Sequence, residues 1–130
     1  MDMYRELILD HYQNRRNWGL VEDPDIDYEE DNPLCGDHLH LTVRLDDARR
    51  VVAVGWEGEG CAISQASASM LGEAMVGKTL DELKHFSKDD ILEMLGIPIS
   101  PVRLKCALLS LKILKAGAYG LTGWPGEEDE

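Results

Sequence analysis

Apolar and polar residues alternate from His38 to Leu45, with Leu39, Leu41, Val43 and Leu45 on one side and His38, His40, Thr42 and Arg44 on the other. A period of two marks a half-buried antiparallel strand. Asp46-Asp47-Ala48-Arg49 supplies turn chemistry and the valine-rich run Arg50 to Trp56 returns, which predicts a β-hairpin. After Cys61 the period lengthens: Ile63, Ala66, Met70, Leu71 and Ala74 are spaced for a helix that Gly77 ends. Leu80 to Phe86 and Lys88 to Leu95 read as two short helices with Thr79 and Ser87 as N-caps. Gly96 to Pro101 breaks the chain, and Pro101 suits the first turn of a long helix running to about Tyr119.

Before the hairpin, Asp2 to Gln13 reads as a helix with Leu7, Ile8, His11 and Tyr12 on one side. Asn14 to Asn32 reads as an irregular connection whose Trp18 packs on a core edge. Strands first and helices afterwards argue for an α+β fold, a small antiparallel sheet with helices packed on one face. At 130 residues the chain is expected to be one domain, 1–130.

Charge narrows the functional classes. The formal net charge is -12 at pH 7, which repels polyanions, so no nucleic acid is expected as a partner. Part of the excess lies in an acidic loop at 22–31 and an acidic tail at 126–130, both expected to be solvated and mobile. No stretch approaches the roughly 18 consecutive apolar residues of a membrane span, so no membrane association is expected. With no secretory leader in view, a cytoplasmic location is the expectation.

The chain has three cysteines, each inside its own short motif: Asn32-Pro33-Leu34-Cys35-Gly36-Asp37, Gly58-Glu59-Gly60-Cys61-Ala62-Ile63-Ser64, and Pro101-Val102-Arg103-Leu104-Lys105-Cys106-Ala107. An odd number of thiols in a reducing compartment is a poor disulfide framework. Three thiolates and the Asp37 carboxylate would complete a tetrahedral metal shell. The competing reading is that the cysteines are small buried hydrophobes, which has most force for Cys106 in its apolar run. Glycines beside Cys35 and Cys61 point to tight turns with reachable thiols. A helix opening at Ala62 would place Cys61 at its positive end, where thiolate is favoured.

Arg103, Lys105, Lys112 and Lys115 occur within a span that is otherwise apolar, with Lys105 and Lys112 at heptad spacing. Either they are the solvent edge of an amphipathic helix or they form a docking edge for an acidic partner. The histidines are rival ligands: His38 and His40 share a strand face expected to meet solvent or a partner, His11 reads as a packing residue, and His85 as a surface residue.

Taken together, the three cysteine motifs closely resemble the U-type iron-sulfur cluster assembly proteins, the IscU/SufU/NifU N-terminal family. Ala66-Ser67-Ala68-Ser69 after the second motif, and Asp10-His11-Tyr12 and Arg16-Asn17-Trp18-Gly19 near the start, extend the resemblance over nearly the whole chain. It implies a SufE/NifU-like α+β fold and a site built from Cys35, Asp37, Cys61 and Cys106, with Cys35 or Cys106 accepting sulfur. It implies a cysteine desulfurase and iron-sulfur acceptor or carrier proteins as partners, and a [2Fe-2S] cluster, iron or Zn(II) as the bound species.

Two branches of the family are blended here. Isc-type scaffolds carry a histidine before the third cysteine and a Leu-Pro-Pro-Val-Lys segment; this chain has Ile99-Ser100-Pro101-Val102-Arg103, and Lys105 before Cys106. Arg103 and Lys105 look like supporting residues of the Suf-type branch, whose members bind zinc and accept sulfur, yet that branch's usual insertion between the second and third cysteines is missing. The expectation is therefore a scaffold that assembles a labile cluster on three Cys and one Asp. A zinc-dependent sulfurtransferase is the alternative, and a closed structural zinc module the third possibility.

Overall fold

The computed structural model describes residues 3–32, 36–120 and 124–125. Its elements run α1 (Met3–Gln13), β1 (Ile26–Asn32), β2 (Asp37–Leu45), β3 (Val51–Glu59), α2 (Ala62–Met75), α3 (Leu80–Leu83), α4 (Lys88–Leu95) and α5 (Pro101–Tyr119). The strands form one antiparallel sheet in the order β1-β2-β3. This is the α+β architecture expected from the sequence, with one more strand than the hairpin provides.

That strand is a correction. Residues 26–32, expected to be part of an irregular acidic connection, pair along β2 from Ile26 opposite Val43 to Asn32 opposite Asp37. Cross-strand partners share a face, so Ile26, Tyr28 and Glu30 lie on the side of Leu39, Leu41 and Val43, while Asp27, Glu29 and Asp31 lie on the side of His38 and His40. The acidic residues are thus the outer row of an edge strand, and its inner row joins the core. Only 22–25 of the expected acidic loop remains outside a strand. The tail at 126–130 lies outside the described residues.

Leu39, Leu41 and Trp56 are fully buried on the inner sheet face, against Leu71 and Met75 of α2 and Leu109, Leu111 and Ile113 of α5. Helix α5 is buried almost continuously from Cys106 to Leu114. A helix apolar on most sides is an interior helix, and α5 touches β1, β2, α2 and α4. Helix α1 packs on α2, but through a narrower stripe than the sequence pattern suggests: Ile8 and His11 are buried, whereas Leu7 and Tyr12 are exposed.

Helix boundaries follow the capping residues. Thr79 and Ser87 each accept from the backbone N–H three residues on, with Glu82 and Asp90 completing reciprocal capping boxes. The Leu80 helix is shorter than expected, ending at Leu83. The free edge of β3 is covered by residues 17–19: Trp56 N–H donates to Asn17 O at 2.8 Å and Gly19 N–H to Trp56 O at 2.7 Å. A covered edge cannot recruit a foreign strand, and Trp18 packs at the core margin as expected.

Candidate metal centre

Asp37 is the first residue of β2, Cys61 is the N-cap of α2, and Cys106 lies in the second turn of α5. The inner row of β2 (Asp37, Leu39, Leu41, Val43) is buried, so alternation carries the Asp37 side chain toward the helices. The three side chains meet: a carboxylate oxygen and the two Sγ atoms all lie within 4.8 Å of one another. Cys106 is 0% and Asp37 1% exposed, whereas Cys61 is half-buried. Cys35, the fourth residue expected at this site, lies outside the described residues.

The two oxygens of Asp37 are unequal. Oδ1 accepts the Cys61 backbone N–H at 3.0 Å. Oδ2 is buried and, among the described residues, has no hydrogen-bond partner. A carboxylate oxygen enclosed without a donor is costly to leave that way, and the Asp37 carboxylate adjoins two cysteine sulfurs. Soft sulfur with one hard oxygen suits zinc or iron, and the four-ligand expectation matches a tetrahedral shell. The donor set therefore fits a metal on an observation of the fold itself.

Gly60 makes this proximity possible. A Cβ there would overlap Asp37 Oδ1 and lie 2.7 Å from Ser64 Oγ. Ser64 in turn donates to the Cys61 carbonyl at 3.0 Å and lies 3.9 Å from the Cys61 thiol. Cys61 occupies the helix start anticipated from the sequence, where the helix dipole favours negative charge.

Several residues that organise the site escape a search for ligand types. Ser67 donates to the Ala107 carbonyl at 2.8 Å and bonds Ser110 Oγ at 3.0 Å, tying the Cys61 helix to the residue after Cys106. Gln65, 5% exposed, donates to the Gly60 carbonyl at 2.8 Å. Their only sequence signal is a polar row, Ser64-Gln65-Ala66-Ser67-Ala68-Ser69, in a helix that is otherwise apolar.

The basic residues divide. Arg103 is exposed in the first turn of α5. Lys105 and Lys112 do share a face, and both ammonium groups lie over the Trp124 ring, at 5.1 and 5.3 Å. Lys112 is neither solvent edge nor docking edge: it is buried and paired with Glu30 of β1. The histidines do not join the candidate centre. His38 and His40 project from the outer sheet face, His38 held by Asp31 and Glu29, and His40 by Asp27. The hydrogen bond to Asp31, helped by the charge of Glu29, raises the His38 pKa above its ordinary value. His11 is the packing residue expected, its Nδ1 2.8 Å from Ser69 Oγ.

Among the described residues no helix is long and apolar enough to cross a membrane. The chain is 39% identical to the zinc-dependent sulfurtransferase SufU of Bacillus subtilis, over 88% of each protein. It is 33% identical to the iron-sulfur cluster assembly scaffold protein IscU of Escherichia coli K12, over 87% of this chain and 89% of that one. A crystal structure of a putative scaffold protein for the SUF system from Fervidobacterium islandicum superposes with a TM-score of 0.75 at 31% identity, covering 87% of this chain and 94% of that one. The family described as NifU-like N-terminal domain matches residues 3–125, and with the three-stranded sheet, the helices on its inner face and the converging Asp-Cys-Cys group already established, the chain belongs to that family.

Proposed function

We propose that this protein is an iron-sulfur cluster assembly scaffold: it receives sulfur from a cysteine desulfurase, assembles a labile [2Fe-2S] cluster on Cys35, Asp37, Cys61 and Cys106, and passes it to acceptor or carrier proteins. The observation that carries this reading is the buried Asp37 carboxylate, converging with the sulfurs of Cys61 and Cys106 and with its Oδ2 unpartnered among the described residues. A product that must leave needs a site that holds it incompletely. A hard carboxylate among soft thiolates is the weak member of such a set.

Sulfur acceptance is assigned to Cys35 and Cys106. A thiolate attacks the outer sulfur of the desulfurase persulfide, a new S–S bond forms as the old one breaks, and the desulfurase departs as its cysteine thiolate. Arg103, exposed one turn before Cys106, and Lys105, held over Trp124, are the supporting cations that meet an incoming partner.

A second reading, zinc-dependent sulfur transfer, is favoured by the 39% identity to the Bacillus subtilis sulfurtransferase. In it the same four residues hold Zn(II), and the metal keeps the thiols deprotonated until a partner side chain displaces one. Anaerobic reconstitution with iron, cysteine and a desulfurase, read by visible absorption and metal analysis, tests the choice. Asp37→Ala sharpens it: the scaffold reading expects slower cluster release, whereas the zinc reading expects zinc binding weakened by roughly 10-fold or more. Mass spectrometry after one desulfurase turnover locates the added sulfur, and sulfur on neither Cys35 nor Cys106 overturns both versions.

A further inference from the structure

The peptide unit between Gly60 and Cys61 is gripped at both ends. Its N–H donates to Asp37 Oδ1 at 3.0 Å, and its C=O accepts from Gln65 Nε2 at 2.8 Å. Gln65 Oε1 in turn accepts from Arg15 Nη1, reaching across from the chain just beyond α1. The Arg15 guanidinium is seated 4.5 Å from the Trp18 ring centroid. A single series of hydrogen bonds thus runs from a guanidinium, through a side-chain amide and a backbone amide, to the carboxylate that converges with the sulfurs of Cys61 and Cys106.

The polarity of this series is fixed. Arginine only donates, so Gln65 must present its oxygen to Arg15 and its NH2 to the Gly60 carbonyl. Withdrawal of charge from the Gly60 carbonyl makes the Cys61 N–H a better donor to Asp37, because hydrogen bonds in series polarise one another. The same peptide plane sets the direction of the Cys61 Cα–Cβ bond. One glutamine therefore governs both the Cys61 thiol and the Asp37 carboxylate, although it carries no ligand atom.

We infer that Gln65, locked in orientation by Arg15, is a positioning residue for the metal centre: it holds the Gly60–Cys61 peptide so that Cys61 Sγ and Asp37 Oδ2 are presented together. The inference rests on the metal-binding reading of the site but not on whether iron-sulfur or zinc chemistry follows. Outer residues that orient metal ligands typically change affinity by about 10–100-fold when lost.

The test uses the full chain, reduced and metal-free, titrated with Zn(II) against a chromophoric chelator and with Co(II) for its thiolate charge-transfer and d–d absorption. Gln65→Glu is the decisive variant. It keeps the size of the side chain and its pairing with Arg15, but has no N–H for the Gly60 carbonyl. Added negative charge alone would strengthen cation binding; loss of positioning weakens it, and we expect zinc affinity to fall by about 10-fold with a shifted Co(II) d–d envelope. Arg15→Met, outside the helix core, is expected to act in the same direction. The double variant Gln65→Leu with Arg15→Met should lose no more than Gln65→Leu alone, because the two residues work as one series. Unfolding of the metal-free variants, followed by circular dichroism, reports any general loss of structure separately.

Wild-type affinity and an unchanged cobalt spectrum in Gln65→Glu would overturn the inference, as would strictly additive losses in the double variant. If the unaltered protein gives no thiolate-to-cobalt absorption at all, the metal-binding reading itself falls, and this inference falls with it.

Discussion

Replacing Gly60 by alanine should damage the metal centre more than the fold. The added methyl would overlap Asp37 Oδ1 and lie 2.9 Å from Asp37 Cγ. Ordinary contact distances near 3.5 Å oblige the carboxylate to back away by about 1 Å. The oxygen that must retreat is the one accepting the Cys61 N–H at 3.0 Å, so that bond lengthens beyond useful range. A hydrogen bond to a charged group is worth about 1.5–3 kcal/mol, or roughly 5–12 °C of melting temperature for a domain of this size. Displacing a ligand should cost a further 10-fold or more in zinc affinity.

Gly77→Ala provides the comparison. Gly77 has φ +88 and nothing within 4 Å of its added Cβ, so alanine there suffers backbone strain without a clash. That strain is about 1–2 kcal/mol, a similar loss of stability at a place remote from the ligands. Thermal melts of both metal-free variants, paired with zinc competition against a chelator, separate the two effects. Comparable melting losses with a zinc defect confined to Gly60→Ala are expected. Zinc affinity within twofold of wild type in Gly60→Ala would refute the assignment of Asp37 to the site.

Two further outcomes follow from buried polar groups. Glu30→Ala strands the Lys112 ammonium, 8% exposed at its side chain, and should destabilise by up to about 3–5 kcal/mol in urea unfolding, whereas Glu30→Leu with Lys112→Met should be near neutral; equal losses would mean that the pair is not the cause. Burial, reinforced by the positive charge of Arg16, lowers the His11 pKa below its ordinary value. The stability His11 contributes is therefore present above about pH 6.5, its ordinary unfolded pKa, and is lost as pH falls through the lower folded value. A melting-temperature profile should fall less steeply with acid in His11→Gln than in wild type.

The sequence disclosed the elements whose pattern depends only on near neighbours. The β2 alternation, the capping boxes at Thr79 and Ser87 and the proline at the start of α5 are local signals, and each marks a boundary in the fold. β1 was hidden because its inward row contains Glu30, a residue that looks wrong for a core until Lys112 arrives from α5. Lys112 is equally misleading inside an apolar helix. Each of the two explains the other, and neither can be read alone. At the candidate centre the ligand types were legible from cysteine and glycine chemistry, while Gln65, Ser67 and Arg15 were not, since their partners are set by tertiary packing.

Access distinguishes the two cysteines that the described structure brings together. Cys106 is enclosed in the second turn of a buried helix, and the neighbouring Ala107 carbonyl is fastened to Ser67. Cys61 lies at a helix start and is half-buried. An incoming electrophile therefore meets Cys61 first, and a reaction at Cys106 requires α5 and the N-terminal turn of α2 to separate, breaking the Ser67 bonds to Ala107 and Ser110. In the fully reduced, metal-free protein, iodoacetamide should label Cys61 at least about 10-fold faster than Cys106, since thiol reactivity follows exposure and thiolate character. Ser67→Ala should narrow that gap by accelerating Cys106 alone. Equal rates at the two thiols in the unaltered protein would show that α5 opens freely, and that the enclosure of Cys106 places no barrier before sulfur acceptance.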